Sequence, residues 1–294
     1  MTTLYTHQGE NIRKTWFLMG FFLVFIIALG YGVAWYMETP IILYGAIIFA
    51  LLMNIGSYWW SDKLVLKMTG AKPANLHEHR ELINIVETLA ITAGLPTPKV
   101  YVVNDDAPNA FATGRNPERA VVAATTGLLK LLNKTELEGV MAHELAHVGN
   151  RDMLVMTVTV VLAGFVAILA DIFARALFWG GDNEKKHPAF LILAIVGIIL
   201  APIAAQLIKL AVSRKREYLA DASGALLTRY PEGLASALEK ISSYKVPMKR
   251  ANHATAHLFI SDPFADKGRS IGAKINNLFQ THPPVEERIK RLRA

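Results

Sequence analysis

The 294 residues contain no cysteine. Disulfides are therefore excluded, and so is any metal held by thiolate. A metal in this chain must be bound by histidine, aspartate or glutamate. Charge is also scarce. Asp, Glu, Lys and Arg make up 19% of the residues against 52% hydrophobic, and the mean hydropathy is +0.30. That is too apolar for an ordinary soluble domain. There are no internal repeats and no low-complexity segments, so no repeat architecture is indicated. The net charge of +7 is not gathered into a basic patch interleaved with aromatics. Nucleic acid is set aside as a partner, and the charge is read as basic loops beside anionic lipid.

What is present is a set of long uncharged runs. Residues Thr15 to Met37 carry no charge and are long enough to span a bilayer. The short link Glu38-Thr39-Pro40 leads to a second run that ends in Tyr58-Trp59-Trp60, an aromatic belt suited to a membrane interface. No small-residue cleavage site follows the first run, which reads as an uncleaved anchor. Met153 to Ala170 and Ala189 to Ile208 are a third and a fourth run, the last interrupted by Pro202. The latter two runs could instead form a hairpin packed on the rest of the protein. Basic residues flank the runs at Arg13-Lys14, Lys63, Lys67, Lys72 and Arg214-Lys215-Arg216. By the positive-inside rule both ends and the central region lie in the cytoplasm, with 38–40 and 180–188 outside.

Between the second and third runs the composition changes to that of a folded domain. Leu76 to Ala93 has helical spacing and stops at Gly94 and Pro96. Lys99 to Val103, Asn109 to Thr113 and Ala120 to Thr125 read as short strands. After Arg216 the patterns are helical again, over 217–229, 232–243, 270–279 and 285 to the end. The expected division is 1–60, two membrane helices; 61–152, an α+β half; 153–212, a second membrane pair; and 213–294, a helical C-terminal half.

The stretch that carries chemistry is His143-Glu144-Leu145-Ala146-His147. On a helix, positions i and i+4 share one face, so both histidines can direct a nitrogen at one ion. Glu144 lies beside the first histidine and is free to act as a base on water. This is the spacing that zinc peptidases use. Helix formation is expected from Thr135 as N-cap, with Glu138 completing a capping box. The competing interpretation is an amphipathic helix with two surface histidines. A third protein ligand is needed, and Glu217, four residues before Asp221, is the candidate. Asp221 would then hold a ligand histidine through its other ring nitrogen. Read alone, the Glu217–Asp221 pair more readily continues the surface charge cluster around Arg214 and Arg216. His253 and His257 are the reserve ligands.

The H-E-L-A-H stretch, followed by Glu217-Tyr218-Leu219-Ala220-Asp221, resembles the HtpX-type membrane zinc metalloproteases and their relatives, the CAAX prenyl proteases. Asn109 to Gly114 (N-A-F-A-T-G), the paired apolar runs, and Thr281 to Arg288 (T-H-P-P-V-E-E-R) match as well. The resemblance implies an integral membrane protein with four transmembrane helices and an α+β, zincin-like metalloprotease domain. It implies one Zn2+ on His143, His147 and Glu217, with Glu144 as general base and Asp221 supporting a ligand. It implies His282 and Arg288 as oxyanion donors, and Asn109, Ala110, Phe111 and Ala112 as an edge strand pairing with extended substrate. The expected setting is the inner (plasma) membrane, multi-pass, with the site at the cytoplasmic face. The expected substrates are misfolded or damaged membrane proteins, cleaved in quality control under stress. A prenyl-protein processing protease and a non-catalytic membrane scaffold with structural zinc are the alternatives.

Overall fold

The computed structural model describes residues 4–179, 214–244, 246–250, 255–261, 263–264 and 283–294. The predicted fourth run at 189–208, the loop at 180–188, the helix at 270–279, His253 and His282 lie outside the described residues.

The first two apolar runs form α1 (Leu4–Tyr36) and α2 (Ile41–Thr69), both long and apolar enough to cross a membrane. Glu38 takes φ 50° in the turn between them, and Pro40 stands at the start of α2, where its missing N–H costs no helical bond. The helices cross closely at Gly30. A side chain there would collide with the methyl group of Ala46, the small-residue contact common between membrane helices. Trp16, Phe17, Val24, Trp35, Ile48, Leu52, Trp59 and Trp60 are all exposed on this pair, a surface that only lipid would cover favourably. Gly70 ends α2 in the left-handed conformation, with φ 70°.

The third run forms α6 (Asp152–Trp179). It follows a turn at Asn150-Arg151, with Arg151 at φ 58°, and leaves the preceding helix, α5 (Lys134–Gly149), at 83°. Leu154, Val155, Val158 and Leu162 of α6 pack on Leu18, Phe22 and Ile26 of α1 and on Ala50 of α2.

Four strands make one sheet: β1 (Lys72–Pro73), β2 (Lys99–Val103), β3 (Ala110–Thr113) and β4 (Val121–Thr125), in the order β1-β2-β4-β3. β2 and β4 are parallel; β3 runs antiparallel to β4 at the edge. Side chains alternate across a sheet with a period of two. Ala110, Ala112, Val122 and Ala124 therefore face α3 (Arg80–Thr92) and α5, packing among Leu82, Ile85, Val86, Val140, Met141 and Leu145. Phe111 and Ala123 face the other way, toward Val65 of α2 and Met156 and Val160 of α6. The sheet thus separates the histidine helix from the apolar helices, both faces are covered, and all of β3 and β4 is buried.

Two local expectations need correction. The capping box of α5 belongs to Asn133 and Glu136, not to Thr135 and Glu138. Asn133 Oδ1 accepts from the Glu136 N–H at 3.0 Å, and Glu136 Oε2 accepts from the Asn133 N–H at 2.9 Å. Asparagine caps better than threonine, and starting earlier lets the helix enclose Glu136. The helix expected from Leu76 begins at Arg80. A short helix, α4 (Thr126–Leu131), capped by the Thr125 hydroxyl, was not expected. Three more helices complete the described chain: α7 (Arg214–Thr228), α8 (Pro231–Ser243) and α9 (Val285–Leu292).

Candidate metal centre

α5 carries His143, Glu144 and His147, all buried. The helix is close to the core on every side, which is why its apolar spacing is imperfect. Gly139 lets α8 approach: a side chain there would stand 2.6 Å from the Leu234 nitrogen. On the next turn α7 crosses at Gly224, whose position would put a side chain 3.0 Å from the His143 nitrogen. This close crossing brings Glu217 and Asp221, on the same helix as Gly224, against the two histidines.

His143 Nε2 and His147 Nε2 stand 3.2 Å apart. Glu217 Oε2 lies 3.9 Å from His143 Nε2, and Glu217 Oε1 lies 3.6 Å from His147 Nε2. Ligand atoms about 2.0–2.2 Å from a tetrahedral ion lie roughly 3.3–3.5 Å from one another. The two nitrogens have close to that spacing, and a different Glu217 oxygen faces each of them at slightly longer range, so the three residues are grouped to close around one metal ion. Among the described residues this trio is the group of histidine and carboxylate side chains whose ligand atoms all lie within 4.8 Å of one another.

The other ring nitrogen of each histidine faces a carboxylate. Asp221 Oδ1 is 2.9 Å from His143 Nδ1. Asp152 Oδ2 is 3.0 Å from His147 Nδ1, a partner that sequence reasoning missed. Its only signal was an acidic residue at the start of an apolar run, five positions after His147. Asp152 is hydrogen-bonded to His147 Nδ1, and Asp221 stands at close electrostatic range of His143 Nδ1; both favour a proton on Nδ1 and leave Nε2 toward the centre of the triangle.

Burial dominates the electrostatics. It pushes the Glu144 carboxyl up, aided by Glu217 and opposed by His147, Arg288 and the Ala112 N–H, to about 7. Burial likewise depresses His143 despite its contact with Asp221, favouring the neutral imidazole that a metal needs. At His147 burial is outweighed by Asp152, Glu217 and Glu144, and the ring is held up at about 9. Four carboxylates, Glu144, Asp152, Glu217 and Asp221, meet two guanidiniums, Arg216 and Arg288. A protonated His147 balances part of this negative charge, and a divalent cation would take the place of that proton.

Arg288 is fully buried. Its Nε donates to Asp221 Oδ2 at 2.9 Å and its Nη2 to Asp221 Oδ1 at 2.7 Å. Nη1 donates to the Ile260 carbonyl at 3.2 Å and lies 3.9 Å from Glu217 Oε2. Burial works against the charged guanidinium, and Asp221, Glu217 and Glu144 more than offset it. Its strongest engagement is therefore with Asp221, with Glu217 next.

The strand residues are placed as follows. Asn109 Nδ2 donates to the Ser261 carbonyl at 3.0 Å, and the Ala110 carbonyl accepts from the Ile260 N–H at 3.0 Å. Phe111 stacks edge-on against Phe259. At Ala112 the outward N–H points to Glu144. His257, a reserve ligand, is not in the triangle: it is buried, with Nε2 3.2 Å from the Met156 carbonyl on the opposite side of the sheet.

Comparison with known proteins agrees with this geometry. Residues 76–294 match the model of peptidase family M48. The chain is 48% identical over 301 residues to a protein named protease HtpX homolog from Caldanaerobacter subterraneus subsp. tengcongensis, covering 99% of this chain and 98% of that one. It is 44% identical to a protein of the same name from Dictyoglomus turgidum, covering 99% and 94%, and 47% identical to another from Pyrococcus furiosus, covering 95% and 94%. Among solved structures, S. mikatae Ste24p shares the fold, with a TM-score of 0.52 and 19% identity over 99% of this chain and 67% of that one. Matched by that family's model over residues 76–294 and by proteins named protease HtpX homolog over nearly its whole length, this chain belongs to peptidase family M48.

Proposed function

We propose that this metallopeptidase is a zinc-dependent endopeptidase with a zincin-like domain that cleaves misfolded or damaged membrane proteins. The observation that carries the reading is the His143–His147–Glu217 triangle with Glu144 buried beside it and outside it. Structural zinc sites have four protein ligands and no adjacent base; three ligands plus Glu144 argue for catalysis.

When bound, zinc would polarise a carbonyl and acidify water. The chain's own residues do the rest. Glu144 takes a proton from the attacking water and returns it to the leaving amine. Its ionisation near neutrality, set by burial, suits both directions of transfer. Asp221 and Asp152 keep the histidine tautomers fixed. Arg288 holds Asp221 with two hydrogen bonds and sits beside Glu217, so we assign it to fixing the ligands. The oxyanion role implied by resemblance then rests more on His282. Residues 109–112 supply the strand beside the site. The outward N–H of Ala112 is engaged by Glu144 and the Ala110 carbonyl by Ile260, so pairing of this strand with an extended substrate rests on the resemblance.

The division at about 60, 152 and 212, four membrane spans, and a site on the cytoplasmic side of the inner (plasma) membrane belong to the same proposal. The exposed apolar surface of α1 and α2 and the lysines 63, 67 and 72 support it. The test is metal analysis together with digestion of casein and of a destabilised membrane protein by the purified full chain. Wild type and Glu144→Gln are each expected to hold one zinc, and Glu144→Gln to lose a hundredfold or more of its activity. Undiminished turnover by Glu144→Gln would overturn the mechanism.

A further inference from the structure

The metal-binding helix does not end on its own. α5 stops at Gly149, and the carbonyls of a helix's last turn have no partners within the helix. Two of the carbonyls at this end are taken by α1, the first apolar helix, more than a hundred residues earlier in sequence. Gln8 Nε2 donates to the Gly149 carbonyl at 2.7 Å, and Asn11 Nδ2 donates to the Asn150 carbonyl at 3.0 Å. The same Asn11 Nδ2 donates to Asp152 Oδ1 at 2.7 Å. Asp152 Oδ2 is the atom that faces His147 Nδ1. Asn11 Oδ1 accepts in turn from Arg216 Nη1 at 3.2 Å, and Arg216 is the neighbour of Glu217. Arg216 Nε also lies 3.6 Å from Asp152 Oδ1. Asn11, Asn150, Asp152 and Arg216 are all buried.

One amide on α1 therefore touches groups adjoining two of the three ligands. The Asp152 side chain turns about only two bonds, and with one oxygen held by Asn11 and beside Arg216 the range over which the other oxygen can move away from His147 is narrowed. Resting on the metal reading above, we propose that Asn11 is a positioning residue of the metal centre. It acts through Asp152 on His147, so that the first apolar helix is part of the site's outer support as well as an anchor.

The test is zinc affinity of the full chain in detergent, by competition with a chelator, for Asn11→Leu, Asp152→Ala and the double variant, with the melting temperature of each metal-free protein. Loss of a group that orients a ligand costs about ten- to a hundredfold in affinity, and Asp152→Ala should fall in that range. Asn11→Leu is expected to weaken zinc about three- to tenfold on the same ground. Because it acts through Asp152, the double variant should bind zinc as Asp152→Ala does. Asn54→Leu removes another buried amide, one whose Nδ2 bonds only within α2, and should leave zinc affinity unchanged. If Asn11→Leu yields no folded protein, Asn11→Ser is read by the same criteria. Wild-type affinity in the Asn11 variant, additive losses in the double variant, or an equal loss in Asn54→Leu each overturn the proposal. Glu217→Ala separates the two readings. If it abolishes zinc binding while Asn11→Leu behaves as wild type, only the proposal fails; if it binds zinc normally, the ligand assignment fails first.

Discussion

Arg288 and Asp221 form a two-pronged pair, Nε to Oδ2 and Nη2 to Oδ1, with both side chains shut off from solvent. Only a planar guanidinium can make both contacts at once. Arg288→Lys keeps the charge but loses one prong, and should lower activity about ten- to a hundredfold through misplacement of Asp221 and His143. Arg288→Ala leaves a buried carboxylate without its partner, at a cost of about 3–5 kcal/mol. Activity and chemical denaturation of the two variants distinguish the cases: the lysine variant should fold nearly as well as wild type, the alanine variant should not.

Glu136 gives the fold a dependence on pH. Burial pushes its carboxyl up, but Lys240, Ser236 and the Asn133 N–H outweigh that and hold it below its usual 4.5. Lys240 Nζ stands 2.8 Å from Oε2 and Ser236 Oγ 2.7 Å from Oε1. A carboxyl depressed on folding stabilises above its unfolded pKa, and the stability is lost as pH falls through the folded value. Glu136→Gln should therefore cost about 1–3 kcal/mol at pH 7. The difference from wild type should shrink below pH 4.5. Denaturation of the metal-free proteins across that range checks the sign; a constant difference would contradict it.

Much of this was legible beforehand, for reasons that differ by residue. His143, Glu144 and His147 are read from a helical period that no other arrangement of those types shares. Glu217 and Asp221 share one helix face by their spacing, but it was the resemblance that singled them out from the surface charge around Arg214 and Arg216. Strand β2 announced itself by a β-branched run. What was not legible depends on contacts distant in sequence. Asn133 displaced Thr135 as the cap because Glu136 is also bound by Lys240 and Ser236 of α8. Asp152 looks like the polar start of an apolar run until the 83° turn folds it back under His147. His257 looks like a loop histidine, yet it is buried against Met156 because Phe259 draws its segment onto Phe111. Arg288 was assigned by resemblance to the substrate side, and its own hydrogen bonds turn it toward Asp221.

Gly139 should tolerate no side chain. The nearest atoms to a methyl group there belong to the backbone of Gly233 and Leu234, which cannot swing aside. Alanine normally stabilises a helix interior by up to about 1 kcal/mol over glycine. At this position overpacking should reverse the sign and cost about 1–3 kcal/mol. Gly149→Ala, on the same helix, meets only the flexible end of Leu95, at 3.7 Å, and serves as the comparison. Melting temperatures of the two metal-free variants should move apart, with Gly139→Ala the lower.

The third ligand is the step on which the metal centre depends most. Glu217 reaches the histidines only because Gly224 lets α7 lie against α5, so its position is a property of the helix crossing rather than of local sequence. Its two oxygens are 3.9 and 3.6 Å from the two Nε2 atoms, which leaves it able to close the triangle from one side. Removing it leaves two histidines, too few to hold a tetrahedral ion against a chelator. Glu232→Ala is a fair control, because that carboxylate is exposed and pairs with Arg293 at 2.7 Å, away from the site. A surface pair of this kind contributes about 0–1 kcal/mol. Glu217→Ala should therefore lose zinc and activity together, and Glu232→Ala should keep both. Zinc retained by Glu217→Ala at the level of Glu232→Ala, with substrate still cleaved, would show that another residue completes the metal's coordination and that the helix crossing at Gly224 serves packing alone.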